Sequence, residues 1–264
     1  MKPILVFLLL LVILPAVAQI PYGNNPKAGK YCAVNGIKLY VEEYGAGKPL
    51  LLIHGNGGSI EAFSKTIPYF ARKRRVIAVD SRAHGKSVDP GDSLSFEMMA
   101  DDFAALLTTL KLDSVDVIGW SDGGINALLL AMRHPKKVRR LVSTGANLTP
   151  DSTALIPSGW KQMQKAYADN KNNVRTTAKE NNDWKVFVLD VLQPNVPFNA
   201  LQAIRCPALI VAGDRDVIVT QHTVSIQQHM SNAQLWILPN SGHATLIDYA
   251  DEFNHKVEAF FKSK

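Results

Sequence analysis

Ser121, His243 and an aspartate at 216 or 214 are the residue types that build an acyl-transfer relay, and each closes an apolar run of the sequence. Ser121 is the centre of Gly119-Trp120-Ser121-Asp122-Gly123, which follows the largely apolar run 115–118 and leads into a helical pattern. Such a stretch reads as strand, sharp turn and helix, with a strained serine at the apex whose Oγ is exposed. The glycines two residues to either side are required because a Cβ there would strike the crossing chain. A serine hydroxyl is a weak nucleophile until a base removes its proton. His243 is the candidate base: it follows the run 235–238 and Gly242. The acid that orients it must accept a hydrogen bond from Nδ1 and stabilise the imidazolium. Asp216 and Asp214, both just past the run 208–212, compete for that role. The chain order serine, acid, histidine is one of three unrelated orders in which this constellation occurs.

A developing oxyanion needs fixed dipoles, and backbone N–H groups supply them without reorganisation. The run 50–53 ends in His54-Gly55-Asn56-Gly57-Gly58. Its Asn56 N–H and the Asp122 N–H, at the start of the helix after Ser121, are the expected oxyanion donors. The Asp122 carboxylate has two readings: it attracts a cationic group of the substrate, or it turns away to a neighbouring Arg or Lys. Trp120 and Trp160 are candidate substrate contacts. Trp160, Met163 and Tyr167 recur at helical spacing, and such a stripe either packs a helix down or lines a pocket. The other six histidines, His54, His84, His134, His222, His229 and His255, are expected to be structural or solvated.

These groups need a scaffold that brings distant segments to one edge. Strands are expected at 37–44, 50–53, 75–79, 115–119, 138–143, 208–212 and 235–238, with a shorter one near Cys32. The later ones lack polar alternation, as parallel strands covered on both faces do. Helical patterns lie at about 60–72, 96–110, 125–133, 221–230 and 249–261. Alternation of this kind predicts a doubly wound α/β sheet. The interval 148–198 breaks the rhythm with Pro150, Pro157, Pro194 and Pro197, and reads as a small helical cap inserted after the sixth strand.

Taken together, these loops resemble the α/β-hydrolase fold from about Cys32 to Lys262. The matching pieces are the His-Gly loop, Asp80-Ser81-Arg82-Ala83-His84-Gly85-Lys86-Ser87, the serine turn, the Gly-x-x-Asp loop and the Gly-His loop. Within that superfamily, Gly-Trp-Ser-Asp-Gly-Gly resembles the valacyclovir hydrolase (biphenyl-hydrolase-like) branch of serine esterases. The resemblance implies a mostly parallel eight-stranded sheet flanked by helices, with core segments 31–147 and 199–264 and the cap at 148–198. It places the acid three residues after Gly213, which selects Asp216. It implies hydrolysis of small carboxylic esters, with amides as a second substrate class, through an acyl-enzyme, without a cofactor. A carbon–carbon bond hydrolase, a thioesterase, an aminopeptidase-like amidase or a silent binding protein would present the same pattern. One departure is Ala83, where similar proteins usually carry glycine.

Composition bounds the rest. With 264 residues, 47% hydrophobic and 20% charged, the chain suits one α/β domain. Met1-Lys2, the apolar run 3–14 and Ala16-Val17-Ala18 fit a signal peptide over residues 1–18. The mature chain is then expected to begin at Gln19, secreted or periplasmic, with an irregular lead-in at 19–30. The apolar run falls short of the ~20 residues that span a bilayer, so no stable membrane anchor is expected. Cys32 and Cys206 are expected on strands too far apart to pair. The formal charge is +6, but the basic runs 72–75 and 136–140 fall where helices end, where cations complement the helix dipole. No aromatic or groove-reading motif points to nucleic acid. No grouping of His, Cys, Asp and Glu has metal-ligand spacing.

Overall fold

The computed structural model describes residues 20–263, so the expected signal peptide lies outside the described residues. Eight strands form one sheet: β1 (Gly29–Val34), β2 (Ile37–Tyr44), β3 (Lys48–Ile53), β4 (Arg74–Val79), β5 (Val115–Trp120), β6 (Val138–Thr144), β7 (Ala208–Gly213) and β8 (Ala233–Leu238). Their order across the sheet is β1-β2-β4-β3-β5-β6-β7-β8. β2 runs antiparallel to both β1 and β4, and every pairing from β4 onward to β8 is parallel. β1 begins earlier than expected. Gly29 and Lys30 already pair with Glu42 and Val41, so the irregular lead-in stops before them.

The helices are α1 (Ile67–Phe70), α2 (Phe96–Thr109), α3 (Asp122–Arg133), α4 (Pro157–Asn170), α5 (Ala178–Leu192), α6 (Thr220–Gln228), α7 (Thr245–Asp248) and α8 (Ala250–Lys262). Strand alternation sorts side chains between two cores. Leu51, Ile53 and Val117 face one layer with Phe103 of α2 and Leu128 of α3, whereas Leu50, Leu52 and Ile118 face the other with Phe253 and Phe260 of α8. Burial on both faces is why these strands read as unbroken apolar runs.

The helix expected over residues 60–72 is instead a 3-10 turn, Ile60–Phe63, followed by the four-residue α1. Pro68 explains the break. In a continuous helix its ring would meet the Ser64 carbonyl and its missing N–H would leave that oxygen without a donor.

Between β6 and β7 the chain leaves the sheet and forms α4 and α5. A capping box starts α5, with Thr177 receiving the Glu180 N–H and Glu180 reaching back to Thr177. The stripe seen in the sequence packs these two helices together. Tyr167 of α4 stacks on Trp184 of α5 at 5.8 Å and 4° between planes.

The basic runs do more than cap helices: Arg72 Nε donates to the Tyr69 carbonyl in the last turn of α1 at 3.1 Å, as expected of a cation at a helix end. Arg74 and Arg139 both pair with the buried carboxylate of Asp116, and Arg75 with Glu43. Cys32 and Cys206 are free thiols, the first on edge strand β1 and the second just before β7, with five strands between.

Candidate active site

Parallel register places four loops side by side. Ile53 is level with Gly119, Trp120 with Thr144 and Thr144 with Val211, so the chain leaves β3, β5, β6 and β7 at one rim of the sheet. This is the rim where doubly wound sheets hold their ligands.

Ser121 occupies the turn between β5 and α3 with φ 56° and ψ −120°, a left-handed backbone that costs a residue with a Cβ about 1–3 kcal/mol. Its N–H donates to the Thr144 carbonyl at 2.8 Å, which ties the turn to β6. The two glycines admit the tight path. A Cβ on Gly119 would lie 1.9 Å from the Gly123 oxygen, and one on Gly123 would lie 1.9 Å from the Ile53 oxygen. Both obstacles are backbone and cannot step aside. Gly123→Ala is therefore expected to destabilise the protein by about 3 kcal/mol or more. Urea unfolding checks this, and a midpoint equal to wild type would mean that the crossing is loose.

His243 follows β8 and Asp216 follows β7. The Ser121 hydroxyl lies 2.9 Å from His243 Nε2, and His243 Nδ1 donates to Asp216 Oδ1 at 2.6 Å. Asp216 Oδ1 also receives the Ile218 N–H at 3.0 Å, which fixes the carboxylate's orientation. Asp214, the competing acid, is exposed. The pairing of Asp214 with Arg215 that the sequence allowed is not formed. Arg215 donates instead to Asn240 Oδ1. One residue, Arg215, separates the two aspartates, and only Asp216 is buried.

The N–H groups of Asn56 and Asp122 have no intramolecular acceptor among the described residues. Asp122 opens α3, so its N–H is one of the unpaired donors at a helix start and carries the positive end of the dipole. Gly55 brings the Asn56 loop against the nucleophile. A Cβ on it would lie 2.9 Å from Ser121 Cβ.

A cleft of about 920 Å³ opens beside the relay, lined in part by Asn56, Gly57, His84, Trp120, Val186 and Phe187. Its size suits a small molecule. Trp120 thus lines the cleft, and it has a second task that no motif signals. Its indole Nε1 donates to the His243 carbonyl at 2.9 Å and steadies the base. Trp160 does not line the cleft. The reason is topological: α5 is the cap helix that faces the rim, while α4, which carries Trp160, packs on α5.

The Asp122 side chain also departs from both sequence readings. It is 3% exposed, pairs with no Lys or Arg among the described residues, and does not line the cleft. Its Oδ2 accepts from Asn56 Nδ2 at 2.9 Å, and its carboxyl meets that of Asp190 on α5. Burial raises the pKa of both, and Asp190 is pushed well above the ordinary carboxylate value by burial and then by the Asp122 charge. Asp190 escaped the sequence reading because it belongs to no motif. Its one signal is an acid a single turn from Val186, on the helix face that turns inward.

The two histidines near the loop are neutral by burial. His54, pushed down to about 3 by burial, donates from Nδ1 to the Gly55 carbonyl and receives the Ser81 N–H at Nε2. His84 is likewise lowered by burial and donates from Nδ1 to the Arg82 carbonyl. Both serve the loops structurally, as expected. Ala83 beside them has φ 64°. The loop keeps the left-handed turn that glycine usually makes, at a cost of about 1 kcal/mol.

Comparison with known proteins agrees with this geometry. The profile of the alpha/beta hydrolase fold family matches residues 48–187. The chain is 31% identical to the serine hydrolase BPHL of Mus musculus over 247 residues, covering 87% of this chain and 85% of that protein. It is 28% identical to the 2-hydroxymuconate semialdehyde hydrolase of Pseudomonas sp. strain CF600, covering 90% and 95% of the two. Among solved structures it is similar to an esterase from Exiguobacterium antarcticum, with a TM-score of 0.76, 22% identity and coverage of 89% and 100%.

Proposed function

This chain belongs to the alpha/beta hydrolase fold family and is a hydrolase, and from that premise we propose that it cleaves small carboxylic esters through an acyl-enzyme on Ser121. The observation that carries the reading is the unbroken Ser121–His243–Asp216 hydrogen-bonded line, at 2.9 and 2.6 Å, with two free N–H groups beside it. Ser121 Oγ attacks the carbonyl carbon as His243 Nε2 takes its proton, and Asp216 stabilises the resulting imidazolium. The oxyanion is held by the N–H groups of Asn56 and Asp122, donors worth about 10²–10³ in rate each. The imidazolium then protonates the leaving alcohol, and a water repeats the sequence to release the acid.

An ester with a good alkoxide leaving group asks least of this site, because a single general acid suffices. Carbon–carbon cleavage, which the name of the Pseudomonas relative describes for that protein, needs protonation of a carbon as well. A panel of p-nitrophenyl, amino-acyl and plain acyl esters tests the proposal. Turnover of at least one class is expected, and none at all with folded protein would overturn it.

Asp122 and Asp190 carry one negative charge between them beside the nucleophile, so the panel also tests preference for cationic substrates. In Asp122→Asn the kcat/KM ratio of amino-acyl to plain acyl esters is expected to stay within about twofold, because a buried carboxylate that does not line the cleft meets no substrate cation. A tenfold fall would show charge selection by Asp122.

Export to the periplasm or the medium belongs to the same reading and rests on the composition of residues 1–18. Protein recovered outside the cytoplasm should begin at Gln19. A retained Met1 would remove it.

A further inference from the structure

Asn56 is gripped from two sides. Its Nδ2 donates to Asp122 Oδ2 at 2.9 Å and to the Val186 carbonyl of α5 at 2.9 Å, which uses both protons of that nitrogen. Asp190, one turn beyond Val186, brings its carboxyl within hydrogen-bonding reach of Asp122. Neither acid has a Lys or Arg partner among the described residues; the nearby Lys185 is spent on Asp89 at 2.8 Å. Two carboxylates in contact, Asp122 buried and Asp190 half-buried, repel each other when both are ionised. One keeps its proton, and the O–H···O⁻ bond so formed is among the strong ones.

We propose that Asp190 is a positioning residue: through one proton shared with Asp122 it straps the cap helix α5 to the nucleophile turn and thereby holds Asn56 with its backbone N–H in the oxyanion position. This rests on the ester-hydrolysis reading above and adds to it a part for the cap. The strap joins the three places that must agree for the oxyanion site to exist: the loop after β3, the start of α3, and α5. The elevated affinity of both acids for protons accords with it.

The other titratable groups facing the pair come from two loops. His84, after β4, and His243, after β8, face Asp122, and Asp183 of α5 faces His84. His84 is neutral through burial and does not compensate a second negative charge. When pH rises through the raised value the shared proton leaves, the carboxylates repel, and α5 is pushed off the loop. The strap's stabilising contribution is therefore present below the raised value and lost as pH rises through it.

The test compares kcat against pH for the wild type, Asp190→Asn and Asp190→Ala on one p-nitrophenyl ester, with infrared spectra of the carboxyl region. Wild type is expected to lose kcat on the alkaline side. Asp190→Asn, whose amide still donates to Asp122 but has no proton to lose, should stay within about threefold at neutral pH and lack that alkaline fall. Asp190→Ala should lower kcat about tenfold with a smaller change in KM, the scale of a misplaced donor. Wild-type protein should show a protonated-carboxyl band at neutral pH that Asp190→Asn lacks. A folded Asp190→Asn with the wild-type pH profile, or a wild type without that band, would overturn the strap. If wild type turns over no ester, the enzymatic reading fails on its own, and the infrared band still decides whether the proton is shared.

Discussion

Ser121→Ala is expected to lower kcat by about four orders of magnitude or more while leaving the fold in place. The hydroxyl's protein partner is His243 Nε2, so its removal leaves no buried group stranded. The backbone of the turn is held by the Ser121 N–H to Thr144 and by the glycine crossings, none of which involves Oγ. What remains in the variant is a cleft and two N–H donors that bind a carbonyl but have nothing to attack it with, and residual turnover should be that of water. A matched thermal midpoint with a tenfold loss or less would mean that another group is the nucleophile.

The second large effect separates the two aspartates. Asp216→Asn should cost about three to four orders of magnitude in kcat. The amide can still accept from Ile218 and from His243, but it carries no charge to offset the imidazolium. Asp214→Asn, at an exposed carboxylate that contacts neither Ser121 nor His243, should stay within about twofold, as surface changes away from a site do. Rates for the two single variants on one ester decide the matter. Equal losses would mean that the loop between β7 and α6 moves as a unit and that the carboxylate's place is set by motion rather than by the bond to Ile218.

The sequence disclosed the relay because its parts obey strict local rules. Gly119 and Gly123 are dictated by backbone contacts of 1.9 Å, and the apolar runs that deliver Ser121, Asp216 and His243 are apolar because both faces of the sheet are covered. The eight strands were legible for the same reason, apart from their ends. The helix over 60–72 was not, since its apolar spacing hid the one residue, Pro68, that divides it. The cap was visible as an interruption, yet which of its helices faces the rim depends on packing, and so Trp160 was placed at a substrate it does not meet. Asp122 and Asp190 were beyond reach for a deeper reason. Their meaning lies in a contact between segments 68 residues apart, and no local pattern distinguishes an acid that shares a proton from one that faces water.

The central claim is that Ser121 is the activated nucleophile, and covalent labelling tests it most directly. Protein treated with a fluorophosphonate probe and weighed intact should gain one adduct, mapped by peptide mass to Ser121, with ester hydrolysis falling in proportion to labelling and no adduct in Ser121→Ala. Folded protein that stays unlabelled at Ser121, or that hydrolyses esters at full rate once labelled there, would contradict the account.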